Sequence, residues 1–386
     1  MRIAFFSTMA GLPWGGSEEL WSRAAAELLE RGHQVAFNCV QWPTPASQLQ
    51  RLMDGGATAH FRSRRRMGRT LRQTLQALRL VRLKHMPWLR KCRPDFVVIS
   101  FACHTDDPQI AITCRALGIP YAILLQAAGP HNWMDTRLLD DYRAAYTNAR
   151  GCFFVSHDNR EIVTSNLGVD IPRAEIVDNP FTVNMNAAPS WPATTAQWKL
   201  ACVARLHYLT KSQDLIIRVL RAPKWRTRPL HVTLWGHDNG NLGQFRRALD
   251  IYGLHRQIEY GGVTSDIEQL WAQHHGLLLP SRAEGNALSL IEAMMCGRVP
   301  ITTRVGRAAE LIDDNECGFI APAATAELLD EVLERAWRRR DDWRMMGQRA
   351  AQAIRARHSL RPAEDFADRI LAVASSTSRN AKTLAA

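Results

Sequence analysis

The sequence predicts an α/β protein made of two doubly wound domains with parallel sheets. The chain has 386 residues, and at roughly 100–200 residues per domain this length favours two domains. Short apolar segments of strand length alternate with longer segments of helical periodicity from end to end. This alternation is typical of right-handed β-α-β units. Each half is therefore expected to form an open parallel sheet covered by helices.

The first half contains six apolar segments of strand length. They are residues 2–7, 34–39, 95–101, 121–125, 152–155 and 175–177. Helical patterns fit between them, most clearly at residues 17–31, 108–117 and 135–149. Because strands separated by helices pair in parallel, these segments predict one sheet.

The second half repeats the same rhythm. Its strand candidates are residues 199–203, 231–235, 258–260, 276–279, 299–302 and 318–320. A charged helical stretch, residues 324–374, follows the last of them. Residues 182–197 contain Pro189, Trp191 and Pro192 and interrupt any periodic pattern, which indicates a domain boundary.

These patterns divide the chain into four parts. We expect an N-terminal domain at residues 1–182 and a C-terminal domain at 198–357, both Rossmann-like. Residues 358–374 are expected to form a helix that packs back on the first domain, and residues 375–386 a disordered tail. In open α/β sheets, ligands bind outside the carboxyl ends of the strands. Two such domains predict a site in a central cleft.

Composition excludes several classes of protein. With 22% charged residues, 23 Gly and 18 Pro, the chain is neither disordered nor collagen-like. Its eight cysteines are scattered without a Cys-x-x-Cys pair, which favours reduced thiols in a cytoplasmic protein and no Cys-rich metal site. No apolar run approaches the ~20 residues of a membrane-spanning helix. The first residues open into a strand, so no signal peptide is expected.

One segment carries the positive charge. The chain has 49 Lys and Arg against 37 Asp and Glu, and between Arg62 and Arg93 there are 12 basic and no acidic residues. Without this segment the remainder is neutral. A basic, partly amphipathic helix favours peripheral contact with an anionic membrane; the alternative is an ordinary solvated helix. Nucleic acid is disfavoured because no nucleic-acid-binding motif accompanies the segment.

A polar run follows the strand candidate at residues 276–279. Glu284 is placed on the loop between this strand and a helix that is expected to begin at about Asn286. The first turn of that helix consists of Asn286, Ala287, Leu288 and Ser289, and its free N–H groups suit a phosphate. Glu292 follows on the same helix, where a carboxylate can bind a ribose. The alternative is that Glu284 only favours the helix N-terminus and that Glu292 is a surface residue.

Two further loops carry candidate ligand-binding residues. Arg205 and Lys211 flank a strand-to-helix loop, so both cations can reach one pyrophosphate. Gly15 and Gly16 lie between the first strand and the first helix, where glycine permits close approach of the backbone to a ligand. This loop lacks the Gly-x-Gly-x-x-Gly pattern, which argues against NAD or FAD.

Together these elements resemble the retaining nucleotide-sugar glycosyltransferases of family 4, which have the GT-B fold. Glu284 and Glu292 match the Glu-x7-Glu signature of that family. Arg205 and Lys211 match its Arg and Lys pair, and Gly15 with Gly16 its N-terminal glycine loop. The resemblance covers roughly residues 1 to 372 and is strongest between residues 199 and 322.

The resemblance implies a role for each of these residues. The second domain would bind the nucleotide-diphosphate sugar, with Glu292 on the ribose and with Arg205 and Lys211 on the departing diphosphate. Glu284 would orient the donor sugar. The other implied donor contacts are Gly15, Gly16, Gly236, Val263, Asn286, Ala287, Leu288 and Ser289. The chain contains no Asp-x-Asp, so cations of the protein are expected to replace a bound metal, and no cofactor is expected.

The chain departs from the family at one position. Members often carry a His after the strand that corresponds here to residues 121–125, whereas this chain has Gln126. His104 and His131 are the alternative candidates for contact with the sugar or the acceptor. Either one can equally be an ordinary histidine, and no catalytic base is assigned.

The leading hypothesis is a retaining, metal-independent hexosyltransferase that acts on a glycan or lipid-linked saccharide at the inner face of the cytoplasmic membrane. A soluble small-molecule acceptor is the alternative within the same class, and Trp14, Trp42, Trp88 and Trp133 are candidates for an aromatic pocket. From other classes, a nucleotide-sugar epimerase or a non-catalytic binding protein of the same fold stays open.

Overall fold

The computed structural model describes residues 1–63, 85–193 and 197–383, with side chains up to residue 375. The chain forms two compact units. The first consists of residues 1–180 and 361–386, and the second of residues 181–360. Residues 64–84, which make up most of the basic segment between Arg62 and Arg93, lie outside the described residues.

The first unit contains a seven-stranded parallel sheet in the order β3-β2-β1-β4-β5-β6-β7. Its strands are β1 (Arg2–Ser7), β2 (Gln34–Val40), β3 (Thr58–Arg62), β4 (Phe96–Phe101), β5 (Tyr121–Leu125), β6 (Cys152–Phe154) and β7 (Ala174–Ile176). The sequence predicts six of them and misses β3. This edge strand has no fully buried residue, so its sequence lacks the apolar run of the others.

Helices cover both faces of this sheet. They are α1 (Gly16–Glu30), α2 (Ser47–Asp54), α3 (Met86–Cys92), α4 (Gln109–Ala116), α5 (Leu139–Thr147) and α6 (His157–Leu167). Leu20 and Trp21 of α1 pack with Phe5 and Phe37 on one face. Helices α3 to α6 cover the opposite face. The strands are therefore buried on both sides, which explains their near-continuous apolar sequences.

The second unit contains a six-stranded parallel sheet in the order β10-β9-β8-β11-β12-β13. Its strands are β8 (Trp198–Val203), β9 (Leu230–Trp235), β10 (Ile258–Gly262), β11 (Gly276–Leu279), β12 (Val299–Thr303) and β13 (Phe319–Ala321). Each matches a predicted segment to within two residues at either end. The predicted fold class, two doubly wound parallel-sheet units, is confirmed.

The helices of the second unit are short near its candidate site and long toward its end. They are α7 (Tyr208–Lys211), α8 (Gln213–Leu220), α9 (Pro223–Arg226), α10 (Leu242–Tyr252), α11 (Ile267–Ala272), α12 (Leu288–Met295), α13 (Ala308–Leu311), α14 (Ala326–Arg338) and α15 (Trp343–Arg357). Residues 182–193, predicted as a break, belong to this unit. The buried guanidinium of Arg298 donates to the carbonyl oxygens of Pro189 (3.1 Å) and Ser190 (2.7 Å).

The last helix, α16 (Pro362–Thr383), belongs to the first unit. Phe366 and Ile370 are buried in the same apolar cluster as Leu20 and Trp21, and Arg369 pairs with Glu175. The tail that the sequence predicts to be disordered begins at residue 375. The helix instead continues to Thr383, over a stretch with neither Gly nor Pro to end it.

Both sheets reverse their strand order at one position. In the first unit, β1 lies between β2 and β4, and in the second unit, β8 lies between β9 and β11. The connections leave such a pair of central strands toward opposite faces, and a crevice opens at their carboxyl ends. In the second unit this position joins the loop after β8 to the loop after β11. These loops carry Arg205 and Glu284.

Candidate functional site

Lys211 and Glu284 form an ion pair at the switch point of the second sheet. Lys211 is the last residue of α7, and Glu284 lies in the loop of residues 280–287 between β11 and α12. The Nζ of Lys211 lies 2.5 Å from Oε1 of Glu284, which also accepts a hydrogen bond of 2.6 Å from Oγ of Ser281. Ser281 was not predicted, although its position directly after the strand could have indicated it.

Backbone contacts hold these two loops together. The carbonyl oxygen of Thr210 accepts hydrogen bonds from the N–H groups of Arg282 (2.8 Å) and Ala283 (3.4 Å). The Arg282 guanidinium donates to the carbonyl oxygen of Tyr208 at 2.7 Å and forms an ion pair with Asp214 at 3.3 Å. The geometry of the Lys211–Glu284 pair is therefore determined by the backbone as well as by its own charges.

Arg205 adds a second cation after β8. Its side chain is half-buried, and its guanidinium has no ion pair or hydrogen bond among the residues that the structure describes. Burial lowers the pKa of Arg205, and the charge of Glu284 partly opposes this shift. Two cations and one carboxylate leave the site with a net positive charge, which suits an anionic ligand.

Two glycines allow the loops at this edge to approach each other. Gly306 has φ +55°, and a Cβ added there would lie 2.1 Å from the carbonyl oxygen of Gly285. Gly236 has φ +138°, and a Cβ there would lie 2.2 Å from the carbonyl oxygen of Ala204. Any side chain at either position would displace the backbone that carries Glu284 or Arg205. The backbone at residue 236 therefore requires glycine for structural reasons. The predicted contact of Gly236 with the sugar donor stays a prediction.

Glu292 lies on α12 and is only 5% exposed, so the alternative of a surface residue is wrong. Its Oε1 accepts hydrogen bonds from the backbone N–H of Thr182 at 3.1 Å and from Oγ1 of Thr182 at 2.6 Å. Thr182 lies 110 residues away in the sequence, and no local signal could have indicated this partner.

The helix that carries Glu292 begins later than predicted. It starts at Leu288 with Ala287 as the N-cap, whereas the sequence predicts a start at about Asn286. Asn286 is buried in the preceding loop, where Gly285 accepts a hydrogen bond from the N–H of Arg307. This tertiary contact holds the loop in a non-helical conformation. Leu288 and Ser289 do lie in the first turn, as predicted.

A small cavity lies next to Thr182. Its volume is about 290 Å³, and its lining residues are Thr182, Val183, Ser265, Asp266, Ile267 and Glu268. This size is at the lower end of the range for ligand pockets, roughly 300–1,000 Å³. Val263, just before this lining, is 56% exposed. Because Thr182 both lines the cavity and binds Glu292, a ligand there would lie beside the Glu292 carboxylate.

In the first unit, Gly15 and Gly16 begin α1, with Gly15 as the N-cap. A buried polar group that was not predicted from the sequence lies behind this loop. Oγ of Ser7 donates to Oε1 of Glu18 at 2.9 Å, and the Arg62 guanidinium donates to the carbonyl oxygen of Ser7. Burial raises the pKa of Glu18 to about 7 and lowers that of Arg62 to about 10.

The three candidates for sugar or acceptor contact lie in different environments. His104 is buried, and its Nε2 lies 3.0 Å from the carbonyl oxygen of Asn132, so this nitrogen carries the hydrogen. Burial lowers the pKa of His104. Gln126 is 4% exposed, and neither atom of its amide has a hydrogen-bond partner among the described residues. His131 is exposed and contacts Asn132 at 3.4 Å.

The described residues contain neither a candidate metal site nor a helix suited to crossing a membrane. Across residues 1–63, 85–193 and 197–383, no group of three or more His, Cys, Asp or Glu is placed to hold a metal ion. Within the same ranges no helix combines the length and the apolar composition that crossing a bilayer requires. Metal independence stays a prediction.

The fold and this site define a protein of the GT-B class, and comparison with known families identifies the family to which it belongs. Residues 197–338 match the family described as Glycosyl transferases group 1, and residues 14–184 match the family described as Glycosyltransferase Family 4. The chain belongs to the family 4-like glycosyltransferases, which confirms the resemblance found in the sequence.

Among curated proteins, the chain is 28% identical over 196 residues to sucrose synthase of Acidithiobacillus caldus, a match that covers 45% of this chain and 24% of the synthase. The chain thus spans about a quarter of the length of that relative.

Solved structures match over nearly the whole chain. Anabaena HepE in complex with UDP has a TM-score of 0.71 at 15% identity and covers 99% of this chain and 100% of its own. The apo form of the lipopolysaccharide outer core galactosyltransferase WaaB has a TM-score of 0.66 at 18% identity and covers 96% and 99%. At sequence identities of 15% and 18%, the similarity of these structures to the chain establishes the shared fold alone.

Proposed function

We propose that this chain is a retaining hexosyltransferase that moves a sugar from a nucleotide-diphosphate sugar to a hydroxyl group of an acceptor. The observation that carries the proposal is the arrangement of Arg205, Lys211 and Glu284 at the switch point of the second sheet. The half-buried guanidinium of Arg205, which has no ion pair or hydrogen bond within the described ranges, and the ammonium of Lys211 both lie near Glu284. Together they provide the fixed positive charge that a departing diphosphate requires.

In the proposed reaction, the bond between the anomeric carbon and the phosphate oxygen breaks, and its electron pair goes to the diphosphate. Arg205 and Lys211 stabilise the negative charge that develops there. The acceptor oxygen forms the new bond on the face that the diphosphate leaves, and its proton ends on the diphosphate. Glu284 keeps Lys211 in place through the contact of 2.5 Å and orients the donor sugar. In this scheme no metal ion and no protein nucleophile takes part.

The nucleotide is proposed to bind along α12. The Glu292 carboxylate would accept hydrogen bonds from the ribose hydroxyls, and the adjoining cavity of about 290 Å³ would hold part of the nucleoside. The N–H groups of Leu288 and Ser289 are suited to a phosphate. UDP conjugates are the first donors to test, because the similar HepE has been solved with UDP and with UDP-glucose.

The proposed acceptor is a glycan or a lipid-linked saccharide at the inner face of the cytoplasmic membrane. The similar WaaB, whose name assigns it to the lipopolysaccharide outer core, supports a saccharide acceptor. Of the 12 basic residues from Arg62 to Arg93, Arg62 itself is bound inside the first unit, and the remaining 11 support contact with anionic lipid.

Calorimetry with UDP, GDP, ADP and dTDP, and with the nucleosides alone, tests the donor site. We expect one diphosphate to bind with micromolar affinity and Arg205→Met to lower that affinity about tenfold or more. Affinity for the nucleoside should stay the same, because Arg205 is assigned to the diphosphate. Arg246→Met removes a fully exposed cation of the same unit and should leave both affinities unchanged.

The outcomes separate the possible failures. Equal diphosphate affinity in wild type and Arg205→Met would remove Arg205 from the site. If no diphosphate binds, the same titration with anionic vesicles present decides whether a membrane is required. Absence of binding under both conditions would contradict the proposal.

A further inference from the structure

An exposed tryptophan lies on the loop that follows β5 in the first unit. Trp133 is 72% exposed, and the neighbouring residue Met134 is 5% exposed. Burying an aromatic side chain of this size stabilises a fold. The first unit forgoes most of that stabilisation at Trp133, so the face of its ring is open to a ligand.

The ring is carried by a fixed backbone. The carbonyl oxygen of Asn132 accepts a hydrogen bond of 3.0 Å from Nε2 of His104, and the N–H of Asn132 donates to the carbonyl oxygen of Gly129 at 3.2 Å. His104 is itself 1% exposed. Trp133 therefore lies between the anchored Asn132 and the buried Met134, and a ligand that stacks on it meets a surface already in position.

A second, independent observation points to a ligand with hydroxyl groups. The same loop begins at Gln126, which is only 4% exposed. Neither atom of its amide has a hydrogen-bond partner among the described residues. A buried amide without a hydrogen-bond partner destabilises the fold. Its adjacent donor and acceptor match the hydroxyl groups of a sugar. The exposed indole face of Trp133 suits the apolar C–H face of a pyranose ring, and the amide of Gln126, earlier on the same loop, suits its hydroxyl groups.

The chemistry around Trp133 disfavours a lipid surface as its partner. Most residues next to the ring in the sequence are polar, with His131 and Asn132 before it and Asp135 and Arg137 after it. This favours a ligand with polar groups over insertion into lipid. Of the other tryptophans that the sequence suggested for an aromatic pocket, Trp88 is 8% exposed and Trp14 donates to Glu19 at 2.6 Å. Trp88 is therefore packed inside the first unit, and the indole N–H of Trp14 is already engaged by a carboxylate.

We propose that Trp133 is an acceptor-binding residue that stacks on a pyranose ring of a saccharide acceptor. This inference rests on the proposed transferase function, because it assigns the acceptor side of that reaction to the loop between Gln126 and Asp135. It also specifies the acceptor class as a saccharide rather than a lipid or an aromatic small molecule.

Fluorine NMR of the full chain labelled with 5-fluorotryptophan tests the contact without any need for turnover. The resonance of Trp133 is assigned as the one that disappears in Trp133→Phe. We expect this resonance to shift on titration with maltose, lactose and the methyl glucosides and to stay unchanged with p-nitrophenol. No shift with any of these saccharides, or a shift with p-nitrophenol alone, would overturn the proposal.

Kinetics give the second measurement, with UDP-glucose as donor and the same saccharides as acceptors. Trp133→Ala should raise the KM for the saccharide about tenfold or more while kcat and the hydrolysis of the donor in its absence stay unchanged. Trp133→Phe should restore most of the affinity. Ile251→Ala removes another highly exposed apolar side chain, 76% exposed, and should change neither constant.

The two proposals fail in different ways. If wild type neither binds nor cleaves a nucleotide sugar while the Trp133 resonance shifts with saccharide, the transferase function is wrong and the saccharide contact stands. If transfer occurs with the same saccharide KM in wild type and Trp133→Ala, the transferase function stands and Trp133 is not an acceptor residue.

Discussion

The ammonium of Lys211 lies 2.5 Å from the carboxylate of Glu284, and the two side chains are only 16% and 9% exposed. The pair joins the loop after β8 to the loop after β11. A partly buried pair of this kind attracts more strongly than a surface pair, and removing one partner leaves the other charge poorly solvated. The functional prediction and the stability prediction for this site are therefore coupled.

Lys211→Met should lower kcat about 10²–10³-fold, the effect expected when one fixed positive group at the developing charge is removed. It should also destabilise the protein by about 2 kcal/mol, because Glu284 loses its partner. Steady-state kinetics and urea unfolding measure the two effects. Lys224→Met removes a cation from a more exposed pair with Asp330 and should leave kcat unchanged. A wild-type kcat in Lys211→Met would exclude Lys211 from catalysis.

Glu292→Ala and Glu284→Ala should separate binding from transfer. Glu292→Ala is expected to weaken nucleotide binding, whereas Glu284→Ala is expected to spare it and to abolish transfer. Thr182→Val should weaken binding less, because it only loosens Glu292 through the lost contact of 2.6 Å. Calorimetry and a transfer assay measure these changes. Equal nucleotide affinity in wild type and Glu292→Ala would contradict the ribose assignment.

Glu18→Gln should stabilise the protein at neutral and higher pH. Burial raises the native pKa of Glu18 from 4.5 to about 7. The native state thus holds the proton of the Glu18 carboxyl more tightly than the unfolded state does. The contribution of protonated Glu18 to the free energy of unfolding is therefore full below pH 4.5 and is lost as the pH rises through about 7. Glu18→Gln removes that loss, which amounts to about 3 kcal/mol.

Urea unfolding at a series of pH values measures the effect of Glu18→Gln. The two proteins should differ most above pH 7 and least near pH 4.5. Glu30→Gln, an exposed position on the same helix, is the matched control and should follow wild type. A constant difference between Glu18→Gln and wild type at every pH would show that Glu18 does not titrate as expected.

His275 should produce the opposite slope at acid pH. Burial lowers its native pKa from 6.5 to about 4, and its Nδ1 accepts a hydrogen bond of 3.0 Å from the N–H of Lys199. The native state disfavours the charged ring, so its stability is full above pH 6.5 and declines by about 3 kcal/mol as the pH falls to 4.

His275→Asn retains an acceptor for Lys199 and cannot take up the proton. It should flatten the dependence of the unfolding free energy on pH between 4 and 6.5, even though the smaller side chain lowers stability at every pH. His255→Asn, which removes an exposed histidine paired with Asp250, should retain the wild-type slope. An unchanged slope in His275→Asn would contradict the prediction.

The sequence predicted the fold because the information for it is local. Strands buried on both faces require continuous apolar runs, and these are visible at β1, β5 and β11 without any structure. Edge strand β3 is covered less and carries Thr, His and Arg. The missed strand is therefore one whose sequence is not constrained by burial on two sides.

The candidate site was predicted in part for a related reason. Glu284 and Glu292 lie within one strand-loop-helix segment, and Arg205 and Lys211 within another, so each pair has a recognisable spacing. The partners Thr182 and Ser281 and the start of α12 were not predicted. They depend on contacts between segments that are distant in sequence.

The sequence by itself determined the two doubly wound units, the family and the residue types of the candidate site, because periodicity and short motifs are properties of neighbouring residues. Only the tertiary structure decided which charges meet, which carboxyl is buried enough to have a pKa of about 7, and which of several tryptophans stays exposed. The physical reason is that burial and pairing depend on what packs against a residue. Lys211 and Glu18 are paired with residues from other segments of the chain, whereas most of the Trp133 side chain is exposed to solvent.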